Sequence, residues 1–269
     1  MLRYAAPMEP HRRRHICVIA LLAASGCGHS RAAPAPDDDP APRLANPGAI
    51  DYELGVAFAT GQGVARNLAR AAVRYGRACD AGHVRACNNL GVLLQDGDGV
   101  TPAPDRAADL FTKACDAGLP DGCFNLALAF DEGTGRPADR PRARGIFTTA
   151  CDGGHGDACV NAGLLWLDAG AGPPDPKRAV TCLTSACDHG DAGACHNLAL
   201  LVDSGIGTPA DPARARVLFA KACDGGDAKA CFNLGVALDH AKRPDDARAA
   251  YVRACAAGIT EACARAKPQ

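Results

Sequence analysis

The feature that most narrows the fold is a pair of cysteines seven residues apart, met at Cys79/Cys87, Cys115/Cys123, Cys151/Cys159, Cys187/Cys195, Cys223/Cys231 and Cys255/Cys263. Successive pairs begin 36, 36, 36, 36 and 32 residues apart. A unit of that length holds two helices and a turn, and alone it cannot bury its apolar face. The period therefore predicts an all-α fold, an α/α superhelical solenoid of stacked helical hairpins. Six such units fill residues 49–266, with 267–269 left as a tail.

Counting back from each first cysteine gives one helix. Alanine stands eight residues earlier (Ala71, Ala107, Ala143, Ala179, Ala215, Ala247) and one earlier (Ala78 through Ala254). Four earlier stands a bulky residue: Tyr75, Phe111, Phe147, Leu183, Phe219 or Tyr251. These offsets share a helical face, on which alanine permits close approach and the bulky group fills the groove beside it. A glycine three residues past the cysteine stops the helix, and the second cysteine opens the next one. That second helix carries Leu or another apolar group three residues on, Gly or Ala four on, and Leu94, Phe130, Trp166, Val202 or Leu238 seven on. A Gly-x-Gly turn ends it in every unit but the sixth, which is four residues shorter there.

Each cysteine pair thus ties the end of one helix to the start of the next. Zinc sites want two to four intervening residues and four converging ligands, which this spacing does not supply, so the pairs read as disulfides. Twelve paired cysteines of fifteen suit an oxidising compartment. The N-terminus points the same way. His11-Arg12-Arg13-Arg14-His15 precedes the apolar run Ile16 to Ala24, which is too short to span a bilayer. Leu22-Ala23-Ala24-Ser25-Gly26-Cys27 then looks like a bacterial lipoprotein processing site, although Ala24 stands where Leu is usual. On that reading residues 1–27 form a signal segment, Cys27 carries the lipid anchor, and Pro/Ala-rich 28–48 is a tether. Ordinary cleavage near Ala32-Ala33 is the alternative. A formal charge of −1 with no basic stripe argues against nucleic acid.

The recurring Asn-Leu-Gly, Gly-x-Gly and Lys-Ala-Cys-Asp-x-Gly elements, as in Asn89-Leu90-Gly91, Gly97-Asp98-Gly99 and Lys221 to Gly226, resemble the Sel1-like repeat. With the cysteine pairs they resemble its disulfide-linked branch, the Helicobacter-type cysteine-rich proteins. The resemblance implies a tetratricopeptide-like scaffold binding a protein, a peptide or a cell-envelope component. It also implies a second reading, a weak β-lactam binder or β-lactamase-type hydrolase.

The candidate contact row is the asparagine two residues after each second cysteine: Asn89, Asn125, Asn161, Asn197 and Asn233. The resemblance would place it on a concave face, where amides suit an extended peptide backbone; bonding within the fold is the alternative. Asp80, Asp116, Asp152, Asp188 and Asp224 are expected past the last helical turn, bonding loop amides, or forming an acidic edge. Cys182, unpaired and on the buried face, reads as a small core residue; a redox or assembly role would need an exposed thiol. His83, His155, His189 and His196 read as loop surface, and Trp166 as packing. No serine has lysine three residues on, and Ser-Asp-Asn, Lys-Thr-Gly, His-Glu-x-x-His and Cys-x-x-Cys are absent. No catalytic residue, cofactor or metal is assigned.

Overall fold

Proline and aspartate set the helix starts. Pro104, Pro176, Pro212 and Pro244 open their helices at the first position, where the missing N–H would be unpaired in any case. Asp139, Asp175 and Asp211 cap theirs by accepting backbone N–H bonds. The computed structural model describes residues 47–267; the signal segment, Cys27 and most of the 28–48 tether lie outside the described residues.

Two compact units divide the described chain, residues 47–137 and 138–267. The first holds α1 (Pro47–Thr60), α2 (Leu68–Asp80), α3 (Val84–Asp96), α4 (Pro104–Asp116) and α5 (Pro120–Glu132). The second holds α6 (Arg140–Asp152), α7 (Gly156–Leu165), a 3-10 turn at Ala169–Ala171, α8 (Pro176–Asp188), α9 (Ala192–Ser204), α10 (Pro212–Asp224), α11 (Ala228–His240), α12 (Pro244–Ala256) and α13 (Thr260–Arg265). No strand occurs among the described residues. The all-α, helix-pair solenoid class read from the period is the class observed.

The core follows the alanine-and-ring pattern. The alanines eight and one before each first cysteine are buried, as are all six bulky residues between them. Those bulky groups seat on a small residue of the preceding helix. A Cβ at Gly91 would come within 2.5 Å of the Phe111 ring, and one at Gly235 within 2.5 Å of Tyr251. Gly55 meets Tyr75 and Gly163 meets Leu183 in the same way. Helix therefore packs on helix with backbone close to side chain, which lets an alanine-rich core bury its few rings completely.

All six cysteine pairs are bonded: Cys79–Cys87, Cys115–Cys123, Cys151–Cys159, Cys187–Cys195, Cys223–Cys231 and Cys255–Cys263, with Cα–Cα separations of 4.3–4.7 Å. Each joins the last turn of one helix to the first turn of the next. The place of the second cysteine differs from expectation, however. Cys87, Cys123, Cys159, Cys195, Cys231 and Cys263 do not open their helices; those begin three residues earlier, at Val84, Pro120, Gly156, Ala192, Ala228 and Thr260. The earlier start has a local cause, because the residue straight after the turn glycine is already the cap. In four of the six hairpins, at His83, His155, Asp191 and Asp227, its side chain accepts a first-turn N–H. Cys87, Cys123 and Cys195 are buried, whereas both partners of the last link, Cys255 and Cys263, are half-buried and so more open to a reductant.

Between the two cysteines the chain turns at a left-handed glycine, for example Gly226 at φ 92°. Where the sixth unit lacks Gly-x-Gly, Lys242 takes a left-handed conformation at φ 58°, the sole non-glycine to do so among the described residues.

Candidate functional site

The asparagine row lies one turn into α3, α5, α7, α9 and α11, and its members are not equivalent. In the first unit Asn125 is buried and its amide donates to Asn88 Oδ1 at 2.9 Å. Asn89 lies beside the buried hydroxyl of Tyr75. Burial pushes that hydroxyl up to about 12, with the Asn89 amide acting the other way.

In the second unit Asn233 donates its amide N–H to His196 Nε2 at 2.8 Å, and His196 Nδ1 meets Asp227 Oδ2 at 3.0 Å. His196 thus bridges Asn233 and Asp227, and the donor and acceptor roles of its two ring nitrogens follow from the tautomer. Asp227 also caps α11, accepting the Ala230 N–H at 2.8 Å. Burial works to raise the Asp227 pKa, but the His196 contact and the backbone N–H bonds outweigh it and hold the carboxyl below its ordinary value. Asn161 turns to its own helix and donates to the Asp157 carbonyl at 2.8 Å. Asn197 is half-buried and makes no side-chain hydrogen bond among the described residues.

One rule explains the split. The residue after the second cysteine of one repeat is the partner of the asparagine in the next: Asn88 serves Asn125 and His196 serves Asn233. The residue in that place before Asn197 is Val160, which is apolar and offers nothing. Two amides are therefore spent joining repeats, while that of Asn197 keeps its donors and acceptor for something else.

The acids after the first cysteines differ from expectation. Each is the last residue of its helix and is exposed, rather than lying beyond the last turn. Two of them pair with a cation of the next repeat: Asp188 with Lys221 at 4.0 Å and Asp224 with Arg253 at 2.8 Å. The same cations donate to the first-cysteine carbonyl of the preceding repeat, Lys221 to Cys187 at 2.7 Å and Arg253 to Cys223 at 3.1 Å; Lys113 does so to Cys79 at 2.9 Å. A positive charge on a helix C-terminus offsets the dipole that the aspartate opposes. This joint was missed from the sequence, although a Lys or Arg two residues before the cysteine recurs in four units.

The histidines also differ. His83 and His155 are not loop surface: they cap α3 and α7, their Nδ1 atoms accepting the Ala86 and Ala158 N–H at 3.4 and 3.2 Å. Burial holds His83 below its ordinary pKa, in keeping with a neutral acceptor. Asp191 and Asp227 occupy the same cap position in later repeats. Trp166 is half-exposed and lies under two guanidinium groups. Cys182 is buried, and burial, with Asp152 adding to it, pushes its thiol up to about 11, which leaves almost no thiolate at neutral pH. Among the described residues no group of His, Cys, Asp and Glu could hold a metal ion, and no helix is long and apolar enough to cross a membrane.

Helix pairs of near-constant length, ring seated on glycine and hairpin closed by sulfur, define a repeat protein of the scaffold class. The chain belongs to the Sel1 repeat family, whose model matches residues 51–83, 84–119, 120–155, 156–191, 192–227 and 228–251. Proteins of this family are protein-interaction scaffolds and are generally non-catalytic. Among solved structures, a protective antigen present in uropathogenic Escherichia coli strains, displaying an SLR fold, is 26% identical with a TM-score of 0.77. That match covers 80% of this chain and 47% of the antigen, so the chain spans about half of the antigen's length. A Sel1 repeat protein from Oxalobacter formigenes is 24% identical, with a TM-score of 0.65 over 72% of this chain and 80% of that one. Cysteine-rich protein B of Helicobacter pylori is 25% identical, with a TM-score of 0.37 over 42% of this chain and 86% of its own. Among curated proteins none matches the chain.

Proposed function

We propose that this protein is an exported scaffold that binds an extended peptide segment of a partner along the helix face carrying the asparagine row. The observation that carries the reading is Asn197: a half-buried amide, repeated in register with Asn233, whose hydrogen-bonding groups the fold does not use. An extended strand presents N–H and C=O groups at regular intervals, and a side-chain amide can answer both. Asn125 and Asn233 serve the binding face indirectly, by fixing the stagger of neighbouring repeats.

The two kinds of asparagine separate in a paired test. Asn125→Ala leaves the Asn88 amide buried without its partner and lowers stability by about 1–3 kcal/mol, read from urea unfolding. Asn197→Ala leaves the urea midpoint nearly unmoved, but weakens peptides selected from a random display library by about tenfold, the worth of one hydrogen bond. Selected peptides that bind wild type and Asn197→Ala equally would defeat the proposed role of the row.

Export rests on the six cross-links, which a reducing cytosol would not maintain. The lipoprotein-type sequence ending at Cys27 supplies the anchor that holds the body in the cell envelope. In a bacterial host the full chain partitions with membranes, and Cys27→Ala moves it to the soluble fraction. A wild-type chain found in the soluble fraction would instead favour cleavage near Ala32-Ala33.

A further inference from the structure

A cleft of about 510 Å³ in the second unit is lined by Arg144, Trp166, Pro173, Pro174, Lys177 and Arg178, among others. Its floor is the chain's single tryptophan. Trp166 donates its indole N–H to Thr148 Oγ1 at 3.0 Å, which fixes the ring plane. Arg144 and Arg178 hold their guanidinium carbons 4.0 and 4.7 Å from the ring centroid. Arg178 follows a rule of the repeats, since Arg70 takes the same place over Phe58 at 5.7 Å. The position of Arg144 varies among the repeats: Ala72 and Ala108, both buried, stand there in the first two, Val180 in the fourth, and Arg216 and Arg248 in the last two.

Arg144 is also held from the other side. One of its N–H groups donates to the Pro173 carbonyl at 2.9 Å, and the guanidinium packs over Gly172, where a Cβ would come within 2.9 Å. Neither Arg144 nor Lys177 has a carboxylate partner among the described residues. The one acid of the lining, Asp175, uses Oδ1 to cap α8 through the Lys177 and Arg178 N–H groups, both at 3.1 Å, and its Oδ2 is 3.7 Å from Arg178. Three cations thus face one engaged carboxylate, whereas Arg74, Arg140 and Arg253 elsewhere each meet an aspartate within 2.8 Å. Lys177 and Arg178 stand exposed at the rim, where an incoming anion meets them directly, and Arg144 adds a half-buried guanidinium on the tryptophan face.

We propose that this cleft binds an acidic peptide segment of a partner protein, its carboxylates taken by Arg144, Lys177 and Arg178. A guanidinium already fixed on an aromatic face meets a carboxylate with little further loss of freedom. A net charge of −1 over the chain gives no long-range attraction for a polyanion, and three cations are few for a nucleic-acid backbone. The site is separate from the asparagine row and does not depend on it.

The test titrates the full oxidised chain with a peptide of three consecutive aspartates flanked by prolines, and with its asparagine counterpart. Binding is followed by the emission of Trp166, which reports from the floor of the cleft. The acidic peptide is expected to give a saturable change, and the amide peptide to bind at least about tenfold more weakly. Arg144→Gln is expected to weaken the acidic peptide about tenfold. Lys177→Gln, at an exposed position with no bond to lose, weakens it severalfold at unchanged thermal stability, while Asn197→Ala leaves it unaffected. Equal binding of both peptides, Lys177→Gln and Arg144→Gln variants that bind like wild type, or a silent Trp166 would each overturn the proposal. A DNA oligonucleotide competing as strongly as the acidic peptide would overturn the assignment to a peptide.

Discussion

Excess thiol at neutral pH is expected to lower the thermal midpoint of this protein by about 20 °C or more, with helical circular dichroism lost at temperatures where the oxidised form is intact. A disulfide closing a loop of about nine residues contributes roughly 2.5 kcal/mol through the unfolded chain. Even at half that value, six such links outweigh most other single contributions in a chain of this size, where about 1 kcal/mol moves the midpoint 2–4 °C. Sensitivity follows from core chemistry. Two of the three recurring buried positions on each cysteine-ended helix are alanine, which removes little apolar surface from water. Each link closes one hairpin, so opening Cys223–Cys231 by a double serine substitution should cost about 2–3 kcal/mol and loosen α10 and α11 first. Before reduction, Cys182 is the sole thiol of residues 47–267 that should titrate in denaturant. A midpoint indifferent to thiol would show that packing, and not sulfur, holds the repeats.

Much of this architecture is legible in one dimension because the repeat checks itself. Ala71 alone says nothing, but the same alanine at Ala107, Ala143, Ala179, Ala215 and Ala247, always with a ring or leucine four residues later, fixes which face is buried. What repetition hides is the meaning of its own exceptions. His196 looks like a stray histidine until a stagger of 37 residues sets it beside Asn233, as it sets Asn88 beside Asn125. That stagger belongs to the contact between repeats and is written in no single one. Its position seven residues after Cys159 predicts Trp166 on the core face, but α7 stops at Leu165, ten residues long where α3, α5, α9 and α11 run to thirteen. The tryptophan becomes a cap residue, half-exposed beneath Arg144 and Arg178.

The glycines of the two turn types should respond differently to alanine, and Gly207 should respond more than Gly226. Gly226, after α10, has φ 92° with no atom within 4 Å of a built Cβ, so Gly226→Ala meets only the left-handed backbone penalty, about 1–2 kcal/mol. Lys242 shows that the fold tolerates a side chain in that conformation where space is free. Gly207 has φ 73° and adds a collision: its Cβ would overlap the carbonyl of Pro176 and lie 3.0 Å from Lys177 N. Both are backbone atoms at the start of α8, held by the Asp175 cap, and cannot turn aside as a side-chain tip would. Strain and overpacking together put Gly207→Ala at about 3 kcal/mol or more. Urea midpoints of the two variants should differ by the overpacking component alone, and near-equal midpoints would mean that the turn yields more readily than this packing implies. Because a displaced Pro176 carries Lys177 with it, Gly207→Ala should also weaken the acidic peptide at the Trp166 cleft, while Gly226→Ala should not.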